Sequence, residues 1–136
     1  MISTKEKYAI AAMVDIAMYY SKNEYVTSKD ISRRCNLSLK YLEQVIAYLV
    51  KANLLRSYRG SNGGYGLVKK PEEYTALEII KATGGDLSVH EAGESQSYIK
   101  LLKGYTNVVN NYFSSIKLSD LVFDYQNMLD AGNYYI

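Results

Sequence analysis

Two short stretches hold the side chains whose types and spacing could do chemistry. In Ser38-Leu39-Lys40-Tyr41-Leu42-Glu43-Gln44 the apolar positions continue as Leu42, Val45, Ile46, Leu49 and Val50, at helical spacing. The other face of that helix carries Lys40, Tyr41, Glu43, Gln44 and Tyr48 outward. Further on, Arg59-Gly60-Ser61-Asn62-Gly63-Gly64-Tyr65-Gly66-Leu67 sets one arginine against four glycines between two apolar runs. The first set is equipped to read a duplex: glutamate accepts from cytosine N4, glutamine pairs with adenine, and lysine and tyrosine hold phosphates. A carboxylate facing DNA costs affinity unless it reads a base, so Glu43 among basic neighbours points to sequence readout. The second set suits the minor groove, where an arginine on a slim hairpin meets the strongest negative potential.

The charge distribution agrees. The chain carries only +2 overall, yet residues 1–70 hold twelve basic against five acidic residues, net +7, and residues 71–136 hold four against nine, net −5. A basic half suits a polyanion, and the acidic half must serve another purpose.

The elements that position these groups are legible in turn. Ser3-Thr4-Lys5-Glu6 is a capping box that opens a first helix running to about Tyr20. A short second helix follows Thr27 or Ser28 and ends near Cys35-Asn36. Asn36-Leu37-Ser38 then makes a tight turn, with Ser38 as N-cap and Leu37 and Leu42 spaced as a hydrophobic staple. Two helices so joined describe a helix-turn-helix. Leu54 to Tyr58 and Tyr65 to Lys69 read as strands, so the glycine-rich stretch is the tip of a β-hairpin, a wing. Thr75-Ala76-Leu77-Glu78 opens another helix that stops at Gly84-Gly85, and Asp86 to Ser97 reads as a loop.

From about Tyr98 to Ile116 the residues Tyr98, Leu102, Tyr105, Val109, Tyr112 and Ile116 step by four and three, the spacing of a helix that pairs with another helix. It reads as a dimerisation helix. A short helix from Ser119 to Val122 and an aromatic tail, Tyr134-Tyr135-Ile136, follow. The fold class expected is therefore mainly α: a winged helix-turn-helix domain over 1–85 with a two-stranded β wing, a regulatory loop over 86–97, and a dimerisation helix with its tail over 98–136.

Much is excluded. One cysteine, Cys35, cannot close an internal disulfide, and with one histidine, His90, transition-metal ligands are few. Walker-type nucleotide loops and nucleophile elbows are absent, so catalysis is not expected. No run approaches eighteen apolar residues and the start lacks the layout of an export signal, so a cytoplasmic protein without a membrane partner is expected. The arginines beside Cys35 raise the question of a lowered thiol pKa and a redox switch, against a plain half-buried residue at a helix end. The fifteen tyrosines find no assignment in the sequence alone.

Taken together, Ile2-Ser3-Thr4-Lys5 with Tyr8-Ala9, Ser38 to Gln44, Arg59-Gly60 with Gly63-Gly64-Tyr65, and Ser119-Asp120-Leu121 resemble the Rrf-two family of bacterial winged helix-turn-helix repressors. The resemblance spans nearly the whole chain. It implies a homodimer on near-palindromic operator DNA, with Ser38, Lys40, Tyr41, Glu43 and Gln44 on the recognition helix and Arg59 on the wing. Lys29 and Ser61 join them as expected DNA-binding residues. Sensor members carry three cysteines in the segment matching Asp86 to about Tyr105; this chain has none there, so no cofactor is expected. His90, Glu91 and Glu94 remain as ligand candidates in what otherwise reads as a solvated loop. The cluster-free branch, typified by the cysteine-metabolism repressor, implies a cysteine-biosynthesis enzyme or a small-molecule effector as a further partner. The competing function class is a winged-helix module that binds protein.

Overall fold

A computed structural model describes residues 2–21, 24–60, 63–84 and 96–133. Helix α1 (Thr4–Tyr19) begins at its capping box: the Glu6 N–H donates to Ser3 Oγ at 3.3 Å, and the Ser3 N–H donates to the Glu6 carboxylate at 2.9 Å. Its small residues Ala9 and Ala12 are fully buried with Met13 and Ile16, which lets neighbouring helices close on it from several sides. Helix α2 (Ser28–Cys35) is capped by Thr27 and ended by Asn36, whose left-handed backbone at φ 54° turns the chain toward the next helix. Helix α3 (Leu39–Lys51) starts at Ser38 and buries Leu42, Val45, Ile46 and Leu49, the stripe its periodicity requires.

The wing is an antiparallel pair, β1 (Leu55–Tyr58) and β2 (Gly64–Leu67), with Leu55 opposite Leu67 and Tyr58 opposite Gly64. Both strands are shorter than the sequence suggests, for one reason. The fully buried Tyr74 hydroxyl takes the N–H groups of Val68 and Lys69, at 2.9 and 3.2 Å, and donates to the Leu54 carbonyl at 2.8 Å. Backbone groups that would have extended the ladder go to a side chain instead. Two wing glycines are there for close approach. A Cβ on Gly64 would stand 2.7 Å from the Val26 carbonyl oxygen, and one on Gly66 would run into the Tyr20 ring. Val26 in turn exchanges both backbone hydrogen bonds with Tyr65, which fastens the wing to the segment ahead of α2.

After a 3-10 turn (Pro71–Glu73), α4 (Ala76–Ala82) opens on the Thr75–Glu78 capping box and ends at Thr83, before Gly84 at φ +83°. Helix α5 (Gln96–Ser115) rests on α4 and buries Ile99 near its start. The final helix differs from expectation: α6 spans Leu118–Asn133, sixteen residues in place of the short helix expected from Ser119 to Val122. No proline interrupts that stretch, Asp120 accepts the Lys117 N–H at 2.9 Å, and Leu118 is fully buried, so the helix is both started and anchored. The backbone bonds Ala76 N–H to Ile116 O and Leu118 N–H to Tyr74 O hold the α5–α6 junction against the start of α4. The result is a mainly α-helical winged helix-turn-helix fold with a small two-stranded wing and a long C-terminal helix. No helix among the described residues is long and apolar enough to cross a membrane.

Candidate nucleic-acid interface

The start of α3 is held from behind. Ser38 Oγ accepts the Tyr41 N–H at 3.4 Å, while the Ser38 N–H donates to the Tyr8 hydroxyl of α1 at 3.1 Å. The Tyr8 ring meets the Tyr41 ring edge-on at 4.8 Å. Lys40, Glu43, Gln44 and Tyr48 stand exposed on the outer face, and Tyr41 is half-buried by its contact with Tyr8. Glu43 accepts a hydrogen bond from Ser28 Oγ at 3.3 Å, so its carboxylate leans over the first turn of α2, beside the exposed Lys29. Hence Ser38, Lys40, Tyr41, Glu43, Gln44 and Lys29 fall together at the junction of the two helices.

Not every basic residue is available. Arg34 donates twice to Asp15, Nε at 2.9 Å and Nη2 at 2.7 Å, and lies 4.1 Å over the Tyr19 ring. Asp15 is only 5 % exposed, so this bidentate pair is a strut between α1 and α2. Arg33 is exposed and pairs with Asp30 at 3.1 Å. The thiol of Cys35 is no activated nucleophile: burial, then the neighbouring Asp15 carboxylate 3.8 Å away, push its pKa up to about 11, and the opposing Arg34 charge does not offset them.

On the wing, Arg59 is exposed just past β1, and the tip is closed by the Gly63 N–H donating to Gly60 O at 3.0 Å, with Gly60 at φ +116°. Ser61 lies outside the described residues. Behind the hairpin, Tyr25 stacks on Tyr58 with ring centroids 3.6 Å apart, and Tyr20 lies 6.2 Å beyond. Burial and a hydrogen bond with Tyr58 raise the Tyr20 phenol pKa. Tyrosines 8, 20, 25, 58 and 74 thus act as braces, which the sequence did not reveal because each partner is remote in the chain: Tyr8 is 30 residues from Ser38, and Tyr74 is 20 from Leu54.

Along α5 the exposed apolar residues are Tyr98 at 39 %, Leu101 at 74 %, Tyr105 at 57 %, Val108 at 69 % and Tyr112 at 61 %. They step by three and four, so they form one stripe. Of the six residues expected at a helix seam, Tyr98, Tyr105 and Tyr112 lie on this stripe, while Leu102, Val109 and Ile116 are half-buried on its flank. Most of the loop 86–97, with His90, Glu91 and Glu94, and the tail Tyr134-Tyr135-Ile136 lie outside the described residues.

Residues 2–124 match a family model described as Rrf2, iron-dependent transcriptional regulator. The chain is 33 % identical to the HTH-type transcriptional regulator CymR of Bacillus subtilis over 137 residues, covering 99 % of each chain. It is also 33 % identical to the HTH-type transcriptional regulator IscR of Cereibacter sphaeroides, across 89 % of this chain and 86 % of that one. Among solved structures, CymR (YrzC), the global cysteine regulator of B. subtilis, superposes with a TM-score of 0.77 over 90 % of this chain and 95 % of its own, at 33 % identity. The iron dependence in the family description calls for a test of the donor set. A cysteine-ligated cluster needs several thiolates; this chain has one cysteine, half-buried on α2 and protonated up to about pH 11. Among the described residues no three of His, Cys, Asp and Glu gather as a metal site. The donors present do not fit such a cluster.

Proposed function

The chain belongs to the Rrf2 family of transcriptional regulators, and from that premise we propose that it is a homodimeric, sequence-specific repressor of the cluster-free, CymR-like branch. The observation that carries this reading is the junction of α2 and α3, where an anchored N-terminus presents exposed polar side chains suited to base edges, in a fold whose wing carries an exposed arginine just past β1. In this reading residues 1–85 bind DNA, 86–97 receive the signal, and 98–136 dimerise. Glu43 and Gln44 read base edges in the major groove. Ser38, Lys40, Tyr41, Lys29 and Ser61 hold backbone phosphates, and Arg59 enters the minor groove. Two copies of α3 would then meet successive major grooves about 34 Å apart on a near-palindromic operator. The single cysteine supports the cluster-free branch. Similarity to a cysteine regulator makes a cysteine-biosynthesis enzyme, or a small effector related to it, the partner to test in the cytoplasm.

Selection of duplexes from a random library tests the reading. A palindromic winner is expected, with base choice relaxed in Glu43→Ala by about 1–3 kcal/mol at one position and binding weakened in Arg59→Ala. No enriched sequence, with shallow salt dependence and a silent Arg59→Ala, would move the assignment to a protein-binding module.

A further inference from the structure

We infer that a slot between the start of α1 and the outer face of α3 is an additional DNA-backbone site, holding a phosphate at its Lys5–Lys51 end, beyond the last base-reading side chain. The inference rests on the DNA-binding reading above and extends its surface to Lys5, Tyr48 and Lys51, which that reading leaves out. The slot has a volume of about 460 Å³, and its polar lining is Lys5, Tyr41, Gln44, Tyr48 and Lys51. Among the described residues two lysines line it and no carboxylate does. Lys5 Nζ sits 4.7 Å over the Tyr48 ring, so an aromatic face steadies its charge without neutralising it. Neither Lys5 nor Lys51 is in an ion pair among the described residues.

Position selects the ligand. Tyr41, Gln44, Tyr48 and Lys51 step by three, four and three along α3, so the slot continues the line on which Gln44 lies. Lys51 lies about 10 Å further along the helix than Gln44. A helix seated in a groove about 12 Å wide has a phosphate strand along its rim, and the slot opens on the same line. The negative end of the α3 dipole would repel an anion there. Lys51 in the last turn and Lys5 from α1 supply the charge that reverses this. No base-reading side chain lies beyond Gln44 on that line, so the contact is independent of sequence.

The test compares the wild-type chain with Lys5→Gln/Lys51→Gln, which removes the charge and keeps a polar side chain, and with Lys5→Arg/Lys51→Arg. Each is titrated at several salt concentrations on the selected duplex and on a mixed-sequence duplex, after thermal melting has shown an unchanged fold. The slope of log K against log salt should shrink by about 0.9 per phosphate lost, or about 1.8 for a dimer with two slots. Affinity should fall about tenfold or more on both duplexes, base preference should not move, and the arginine variant should restore the slope. An unchanged slope in the glutamine variant on both duplexes, or a change confined to base preference, overturns the slot and leaves the regulator reading standing. No salt-dependent binding of the wild-type chain to either duplex would overturn both.

Discussion

Around α3 the exposed polar face is braced from behind at several points, whereas along α5 a stripe of exposed apolar residues is left facing solvent among the described residues. Ser38 is tied to Tyr8, the base of the wing to Tyr74, and α2 to α1 through Arg34 and Asp15. By contrast, α5 touches the body at α4 and turns Leu101, Tyr105, Val108 and Tyr112 to solvent. Burying such a stripe contributes about 25 cal/mol per Å², so leaving it in water is costly for a lone chain. The contrast separates a surface built to meet water and polyanions from one built to meet another apolar face. In the homodimer proposed above, a second copy of the chain supplies that face.

The largest effect should come from breaking the second surface while sparing the first. Leu101→Glu/Val108→Glu should give a folded monomer by sedimentation, with helical content retained. Its affinity for the selected duplex should fall by about 10²–10⁴, because the two half-sites are no longer linked. Leu102→Ala/Val109→Ala, on the half-buried flank, should cost stability before it costs assembly. If the first pair leaves the dimer and its affinity intact, the exposed stripe is not the seam.

That contrast also marks what could be read without coordinates. Capping boxes at Ser3 and Thr75, the Ser38 cap and the α3 stripe are local, each decided by residues three or four apart, and each sits where it was expected. The α5 periodicity was legible as a helical apolar pattern, but whether 102 and 109 or 101 and 108 would be the more exposed track depended on how the helix packs against the body, which no local pattern encodes. The length of α6 was missed because its apolar residues follow no clean repeat; it is held by the backbone bond from Leu118 to Tyr74, far back in the chain. The tyrosine braces and the Arg34–Asp15 strut escaped for the same reason.

Next in size is the brace under the wing. Tyr74→Phe keeps the ring and removes the hydroxyl that serves Leu54, Val68 and Lys69. Leaving the buried Leu54 carbonyl and the two part-buried N–H groups without this partner should cost about 1–3 kcal/mol in chemical denaturation. Because the loss frees the wing and not α3, DNA binding should lose its dependence on Arg59 while base preference at the Glu43 position persists. Equal loss at both would mean that wing and helix move as one body.

A smaller effect is expected at the other brace. Tyr8→Phe removes the acceptor of the Ser38 N–H but keeps the ring against Tyr41. The exposed N–H can turn to water, so the stability change should stay near 0.5–1.5 kcal/mol. Affinity should fall together with discrimination at the bases that Glu43 and Gln44 are proposed to read, because α3 loses its fixed start. A loss of affinity with discrimination intact would assign Tyr8 to the backbone alone.

The smallest effect concerns Cys35, which sits in the anchored half and should behave as an inert part of it. Its thiol is raised from 9.0 to about 11, first by burial and then by Asp15. Below pH 9 the thiol is protonated in both folded and unfolded chains, so its contribution to stability is fully present. Between pH 9 and about 11 the unfolded chain ionises first, and that contribution is lost as pH rises through the folded value. The stability difference between the wild-type chain and Cys35→Ser should therefore be flat below pH 9 and shift against the wild-type chain across that window. At pH 8 the folded thiol should alkylate about a hundredfold more slowly than the unfolded one, from its thiolate fraction alone. Asp15→Asn should recover part of that rate, since it removes the carboxylate and leaves Arg34 acting on the sulfur, while burial, the larger cause, keeps the rest. Alkylation as fast in the folded chain as in the unfolded one would place Cys35 outside the packed half.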